Sequence, residues 1–344
     1  MKKIVLIGML IGSMHLGYGQ QLPHYTQYIM NPFIINPAIA GIENYWDLRL
    51  SHRHQWTGIN GSPVTTYLTL QGPLHRSDYA GEASPTGFNP EGENPRGHAY
   101  WQEYTTPPSH PGLGLTVLND KAGPINRFSI TGAYAHHINL SPRTSISAGI
   151  GLGMQQVSLD TRKVEFLDPN DPVLGGSAGI LNRWRPDVSL GLWLYSANFF
   201  AGASAQNIIP QKLGFDNGKV VGASAYQGKL IPHLFLTTGY RLWLNDDLNV
   251  MPSVMVKMIT AAPVSFDVNA RFMYRDRLWM GASYRINDGV AGMFGVNISS
   301  LINIGYSYDY SSSALNVVSK GSHEIMIGIL LGNKYGDTCP RNVW

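Results

Sequence analysis

From Val264 the chain is apolar at Val264, Phe266, Val268, Ala270, Phe272 and Tyr274, with Ser265, Asp267, Asn269, Arg271 and Met273 between them. Successive side chains of a strand point to opposite faces, so this segment has one apolar face and one charged face. Similar segments recur. Fourteen strands are predicted, at 45–52, 64–71, 112–119, 127–138, 144–157, 187–195, 198–207, 232–243, 248–259, 264–274, 277–286, 289–298, 302–311 and 322–331. The late strands repeat the two-faced pattern. Leu278, Met280, Ala282, Tyr284 and Ile286 fall on one face, as do Val290, Phe294, Val296 and Ile298, then Ile302, Ile304, Tyr306, Tyr308 and Tyr310. Arg277, Ser283, Arg285, Asn297, Asn303, Ser307 and Asp309 take the other.

An apolar face this regular needs either a second sheet or lipid against it. Long uniform hairpins with rows of tyrosine favour lipid, and tyrosines gathered toward one strand end suit an interfacial aromatic girdle. An even strand count and the spacing of the connections agree. With the first strand running outward, the turns at 140–143, 196–197, 245–247, 275–276 and 299–301 are short and periplasmic. The long connections 159–186 and 208–231 fall on the opposite, extracellular side. The expected fold is therefore all-β: a transmembrane outer-membrane barrel of about 14 antiparallel strands, short periplasmic turns and longer extracellular loops. One stretch breaks the rule. Residues 73–111 form a long periplasmic insertion rich in Pro, Gly, Glu and Asn, either a docking element or a disordered loop.

The N-terminus supplies the address. Lys2 and Lys3 precede an apolar run, Ile4 to Ile11, and Gly17 and Gly19 mark a small-residue cleavage region, so 1–19 reads as a secretory signal peptide. The remaining organisation is a periplasmic N-terminal arm at 20–44, the barrel at 45–332 and a C-terminal tail at 333–344. Composition fits export to an outer membrane: Gly 38, Tyr 18 and Trp 8 are high, and only 14% of residues are charged. Downstream of the signal no run of 18 apolar residues suggests a membrane helix. The net charge of +3 carries no basic run that would indicate nucleic acid. The single cysteine, Cys339, allows no intrachain disulfide.

Candidate chemistry is thin. His136 and His137 are adjacent and face opposite ways, while His52 and His54 share a face but lack the Cys or carboxylate ligands of a metal site. Asp168 to Asp171 resembles a calcium loop only superficially and reads as a plain turn. No nucleophile motif accompanies Ser51 and His52, and no cofactor site is predicted. Asp47, Arg49, Arg241, Lys257, Asp267, Arg271, Arg285, Asp309 and Glu324 all fall on the inner face. They either close the lumen as ion-pair networks or line a water-filled pore; fourteen strands lie between the self-filling and the open barrels. Gly149, Gly151 and Gly153 share the inner face of one strand, which predicts a bend or a close backbone approach. The arm is not strand-like. Its two Asn-Pro steps, Asn31-Pro32 and Asn36-Pro37, initiate turns and bar a regular helix, suggesting a cap folded under the barrel or a plug within it.

Several ordered pieces carry a family resemblance. They are the arm from Gln27-Tyr28 to Ala40-Gly41, including Asn31, Pro32, Asn36 and Pro37; Arg53 to Pro63, including Gln55, Trp56, Gly61 and Pro63; and Asn119 to Pro124, including Asp120 and Gly123. Arg185-Pro186-Asp187 through Trp193, Phe200-Ala201-Gly202 and Gly321 to Met326 complete the set. Together they resemble the PorP/SprF family of the type IX secretion system of gliding and pathogenic Bacteroidetes. The resemblance implies a non-enzymatic outer-membrane barrel. Its implied partners are a secreted surface protein, often an adhesin with a type-B C-terminal sorting domain, and translocon or periplasmic components of the secretion machinery. Outer-membrane lipid is the third partner. Within the two long loops, Arg162, Phe166, Trp184 and Phe215 are the predicted partner contacts, since exposed aromatic and Arg side chains anchor interfaces. The alternatives are a porin-like channel and a lipid-modifying enzyme.

Overall fold

The computed structural model describes residues 25–74, 97–98, 102, 106–164, 179–212, 229–259, 262–286, 288–299, 301–312 and 314–333. Residues 1–24, Asp168 to Asp171, Cys339 and most of 73–111 lie outside them. The strands are β1 Trp46–His54, β2 Val64–Pro73, β3 His110–Ala122, β4 Ile125–Ser141, β5 Thr144–Asp160, β6 Ile180–Ser196 and β7 Phe199–Gln206. They continue as β8 Gln211–Lys212, β9 Lys229–Leu230, β10 His233–Tyr240, β11 Leu242–Trp243, β12 Leu248–Ile259 and β13 Ala262–Tyr274. The last are β14 Leu278–Arg285, β15 Gly289–Asn297, β16 Ile302–Ser311 and β17 Ser322–Leu331.

Fourteen of these close an antiparallel ring. Neighbours in sequence pair with one another, β7 pairs with β10, β10 with β12, and β17 returns to β1 across Trp46↔Leu331 to His54↔His323. Closure leaves no unpaired edge in the lipid, which is the condition for a sheet to span a bilayer. The short pair β8–β9 stands apart from the ring, and β11 is a stub on β12.

Facing follows the sequence pattern. Val264, Phe266, Val268, Phe272 and Tyr274 are exposed on the outer wall, and Asp267, Asn269 and Arg271 are buried inside. Leu278, Met280, Tyr284, Val290, Phe294, Ile302, Tyr308 and Tyr310 likewise face out. The outer apolar side chains are thus the lipid-facing band of an outer-membrane barrel, not a core.

Two features depart from expectation. β6 begins at Ile180, not near residue 187, because Pro186 reads locally as a strand boundary while the strand runs through it. Trp184 and Arg185 therefore lie on a strand, not in a loop. Strand length is also uneven. β4, β5 and β6 have 17 residues each, whereas β7, β10 and β14 have eight. Since a tilted transmembrane strand needs only about 9–11 residues, β4 to β6 project beyond the bilayer as a raised wall.

The end where β1 begins and β17 finishes, here the proximal end, carries the tight turns of β4–β5, β6–β7, β13–β14 and β15–β16. The opposite, distal end carries the longer connections after β1, β5, β7 and β16 together with the short β3–β4, β12–β13 and β14–β15 connections, while the long β2–β3 connection lies at the proximal end.

Candidate functional site

The lumen is filled by the chain's own N-terminal arm. Pro fixes φ near its helical value, so each Asn-Pro step opens one 3₁₀ turn: Pro32–Ile34 and Pro37–Ile39, preceded by Gln27–Ile29. The Asn36 side chain caps its turn by accepting the Ala38 N–H at 3.0 Å. Tyr28, Ile29, Met30, Phe33, Ile34, Ile35, Ala38, Ile39, Ala40 and Ile42 are all buried. The arm does not fold beneath the barrel as a periplasmic cap. Its row of large apolar side chains seeks cover, and the lumen provides it. Tyr28 to Met30, Ile34 and Ile35 pack with the inward Tyr67, Leu118, Phe235, Met255, Trp279, Met293 and Met326. Phe33 and Ala38 to Ala40 pack with Ala133, Ala135, Trp193, Tyr195 and Phe200. At roughly 1.5–3 kcal/mol for each fully buried large apolar side chain, this is a strong attachment.

Irregular backbone buried in the lumen must have its polar groups satisfied from outside the arm. The wall supplies donors to six arm carbonyls. Arg49 Nη1 donates to Met30 O, Gln206 Nε2 to Ile34 O at 2.9 Å, and Ser204 Oγ to Ile35 O at 2.6 Å. Ser147 Oγ donates to Ala38 O at 2.6 Å, His137 Nε2 to Ala40 O at 2.9 Å and His110 Nε2 to Gly41 O at 3.0 Å. His110 and His137 are register partners on β3 and β4, and their rings stack at 4.6 Å. Asn31 Nδ2 reaches Thr69 Oγ1 at 2.9 Å, and Asn36 Nδ2 reaches Leu192 O at 3.0 Å.

At the distal end of the arm, wall carboxylates take the arm's donors. Glu324, with a fully buried side chain, accepts the Thr26 N–H at 2.9 Å and the Ser51 hydroxyl at 3.0 Å. Thr26 Oγ1 donates to Asp309 at 2.6 Å and accepts from Arg53 Nη1 at 2.8 Å. Arg53 pairs with Asp309 at 2.6 Å and with Glu324 at 3.4 Å. Two further inner pairs join Arg49 to Asp47 at 2.8 Å and Arg285 to Asp267 at 3.1 Å, while Arg271 donates to the Met30 sulfur of the arm at 3.0 Å. These ion pairs, with the arm they hold, are the network form of the two inner-face readings.

A belt of small residues makes room for the second half of the arm. Gly112, Ala135, Gly149, Gly191 and Ser204 are successive register partners from β3 to β7. A Cβ on Gly149 would lie 2.5 Å from the Ala38 backbone, and one on Gly112 would lie 2.0 Å from Ala40 O. Of the three β5 glycines, Gly149 marks a close approach by the arm, whereas Gly151 and Gly153 lie against Ser189 and Thr131 of the neighbouring strands. A cavity of about 80 Å³ remains in the lumen, bordered by Tyr25, Phe33, Arg127, Gln155, Asp187 and Asn207.

The other expected residues divide by place. Gln55, Trp56, Gly61 and Pro63 build the distal β1–β2 connection, where Gln55 N donates to Pro63 O at 2.9 Å. Trp56 and Gly61 take φ of 51° and 74°, and the Gly61 carbonyl accepts the N–H of Gly123, itself at φ 57°. Thr57 exchanges backbone bonds with Lys320 and Gly321, tying three distal connections together. Asp120 accepts the Thr65 hydroxyl at 2.7 Å. Of the four predicted partner contacts, Arg162 is exposed and bound to Asp160 at 2.9 Å, a hydrogen bond that raises its pKa above the ordinary value. Trp184 is 51% exposed on β6 beside Phe128. Phe166 and Phe215 lie outside the described residues. His136 faces out beside Ser109, and His52 meets Thr66 on the outer wall at 2.8 Å. The His110–His137 pair escaped the sequence reading. Its signal was available only in the strand register.

The described residues of the β2–β3 connection touch neighbouring proximal turns. From the 73–111 stretch, Gln102 O accepts from Arg143 at 2.7 Å, Thr106 N donates to Pro142 O, and His98 lies 5.5 Å from the Trp243 ring.

A closed fourteen-stranded barrel with a lipid-facing apolar band and a lumen occupied by its own chain is an outer-membrane protein. The chain belongs to the family of type IX secretion system membrane proteins PorP/SprF, which matches residues 17–329. Among solved structures it is similar to the Acinetobacter baumannii outer membrane protein Omp33 at 10% identity, TM-score 0.45, covering 85% of this chain and 100% of that one. It is also similar to the Ralstonia pickettii toluene transporter TbuX (9% identity, TM-score 0.46, 92% and 97% covered). A third is a Pseudomonas aeruginosa FadL homologue (10% identity, TM-score 0.45, 93% and 96% covered). A comparison with curated proteins returns no match.

Proposed function

We propose that this barrel is a non-catalytic partner of the type IX secretion system that assists export or surface anchoring of a cognate secreted protein, an adhesin with a type-B C-terminal domain. The observation that carries the reading is the filled lumen. A barrel that commits its inner wall to six donors and two apolar clusters for its own arm is built to be closed and rigid. What it offers a partner is its ends. The proximal end, with the tight turns, faces the periplasm and the secretion machinery, and the raised β4–β6 wall faces outward.

The alternatives fare less well. A porin-like channel needs an open lumen, and the arm occupies it. A lipid-modifying enzyme needs an orienting partner at its rim histidine, and among the described residues His52 and His54 hydrogen-bond to the hydroxyls of Thr66 and Ser62. The test is affinity capture of the tagged full chain from detergent-solubilised outer membranes. One large secreted protein bound near stoichiometrically through its C-terminal domain is the expected result. Recovery of the barrel alone in high yield overturns the reading.

A further inference from the structure

The outer wall changes character where β17, β1, β2 and β3 reach the distal end. Lower on that wall the exposed side chains are apolar: Leu50 on β1, Ile325 and Ile327 on β17, and Leu115 on β3. Above them one row of register partners crosses the four strands. His323 lies opposite His54, His54 opposite Val64, and Val64 opposite Lys121. Register partners share a face, so His323, His54 and Lys121 stand in line on the outside, with His54 and Lys121 exposed. At about 4.8 Å between strands, the row is about 14 Å long, with the short Val64 between two longer side chains. His52 sits one outward position lower on β1. Lys320 lies in the β16–β17 connection above, where a Cβ on Gly58 would be 3.5 Å from the Lys320 Cγ. β1 has nine residues, about one tilted crossing, and Trp46 begins it at the proximal interface. The row at its other end therefore falls at the level of the distal headgroups.

This sector carries cations without matching carboxylates. Asp120, Asp309 and Glu324 point inward, onto Thr65, Arg53 and the arm, and Asp288 pairs with Arg285. The connections 55–63 and 312–321 contain no Asp or Glu. Among the described residues, neither Lys121 nor Lys320 has an ion pair. The imidazoles are held in place by hydroxyls: His52 Nδ1 by Thr66 at 2.8 Å, His54 Nε2 by Ser62 at 3.0 Å and His323 Nδ1 by Tyr306 at 2.7 Å. When a hydroxyl donates to one ring nitrogen, the other carries the proton and can donate to an anion.

We propose that this rim binds the phosphate of a lipid headgroup in the distal leaflet, held by Lys121 and Lys320 with the imidazoles of His54 and His323, while the acyl chains lie along the apolar wall beneath. Clustered cations at headgroup level attract anionic lipid, and oriented donors add geometry to that attraction. The continuity of the cationic row with the apolar wall below it favours a lipid over a soluble anion. The site stands apart from the partner reading, since it needs no secreted protein.

The test is native mass spectrometry of the purified full chain in non-ionic detergent, titrated with phosphatidic acid or with phosphatidylcholine of the same acyl chains. The expected result is retention of phosphatidic acid at concentrations where phosphatidylcholine is lost. Lys121→Gln with Lys320→Gln lowers the apparent affinity roughly tenfold or more, and adding His54→Gln lowers it further. Lys163→Gln, which neutralises a cation after β5 at the same end, leaves it unchanged. Heat-modifiable mobility on gels shows that each variant folds. Phosphatidic acid carrying a diazirine in its acyl chain is expected to label the outer wall within 48–54, 64–70 and 323–329. Equal retention of the two lipids, retention indifferent to the lysines, or labelling only elsewhere overturns the proposal. Inorganic phosphate that displaces the lipid at equal concentration marks a free-anion site and overturns the lipid assignment.

Discussion

Glu324 is the residue on which the arm most depends. Its fully buried carboxylate takes bonds from Thr26, Ser51 and Arg53, so removing it leaves the Thr26 N–H and the Ser51 hydroxyl without that acceptor and leaves Arg53 to Asp309 alone. Breaking a buried pair from one side costs about 3–5 kcal/mol. Glu324→Ala is therefore expected to lower the temperature at which folded mobility on gels is lost, whereas Glu324→Gln, which keeps an acceptor, loses less. An unchanged transition for Glu324→Ala would mean that the arm is held elsewhere. His137 is a weaker point. It donates to Ala40 O and meets the Tyr195 hydroxyl at 3.0 Å, and His137→Ala is expected to cost about 1–3 kcal/mol in the same measurement. Glu324 and Arg53 were visible in the sequence as inner-face or motif residues. Their joint role was not, because more than 270 positions separate them.

At the scale of elements, alternation made most strands legible, since lipid and lumen impose opposite demands on neighbouring side chains. β12 was placed at 248–259 and β16 at 302–311, and both stand there. β6 was cut short at Pro186, because a proline reads locally as a strand boundary. Pro186→Ala is expected to leave barrel stability within about 0.5 kcal/mol. The arm was read as turns from its Asn-Pro steps, and three 3₁₀ turns result. Its place in the lumen was left open by sequence, yet the density of Ile, Met and Phe from Ile29 to Ile35 is a signal of burial that a water-facing cap lacks. The small-residue belt ties this element to the wall. Gly149→Val drives a side chain into the Ala38 backbone and is expected to expose the arm to added protease in detergent, while Ala148→Val, on the lipid face, is not.

At the scale of the molecule, the barrel is a closed cylinder with one high side. Its charged inner face, ambiguous in sequence between pore lining and closure, resolves to closure once the arm is counted as part of the core. The family match places this cylinder in a secretion system, and a rigid plugged barrel suits a platform better than a conduit. The measurement that bears most directly on that claim is conductance of the purified full-length barrel in planar bilayers. The wild-type chain is expected to stay closed, and folded Gly149→Val or Glu324→Ala barrels, with the arm loosened, to show discrete openings. Steady large openings from the wild-type chain would contradict it and make the barrel a channel.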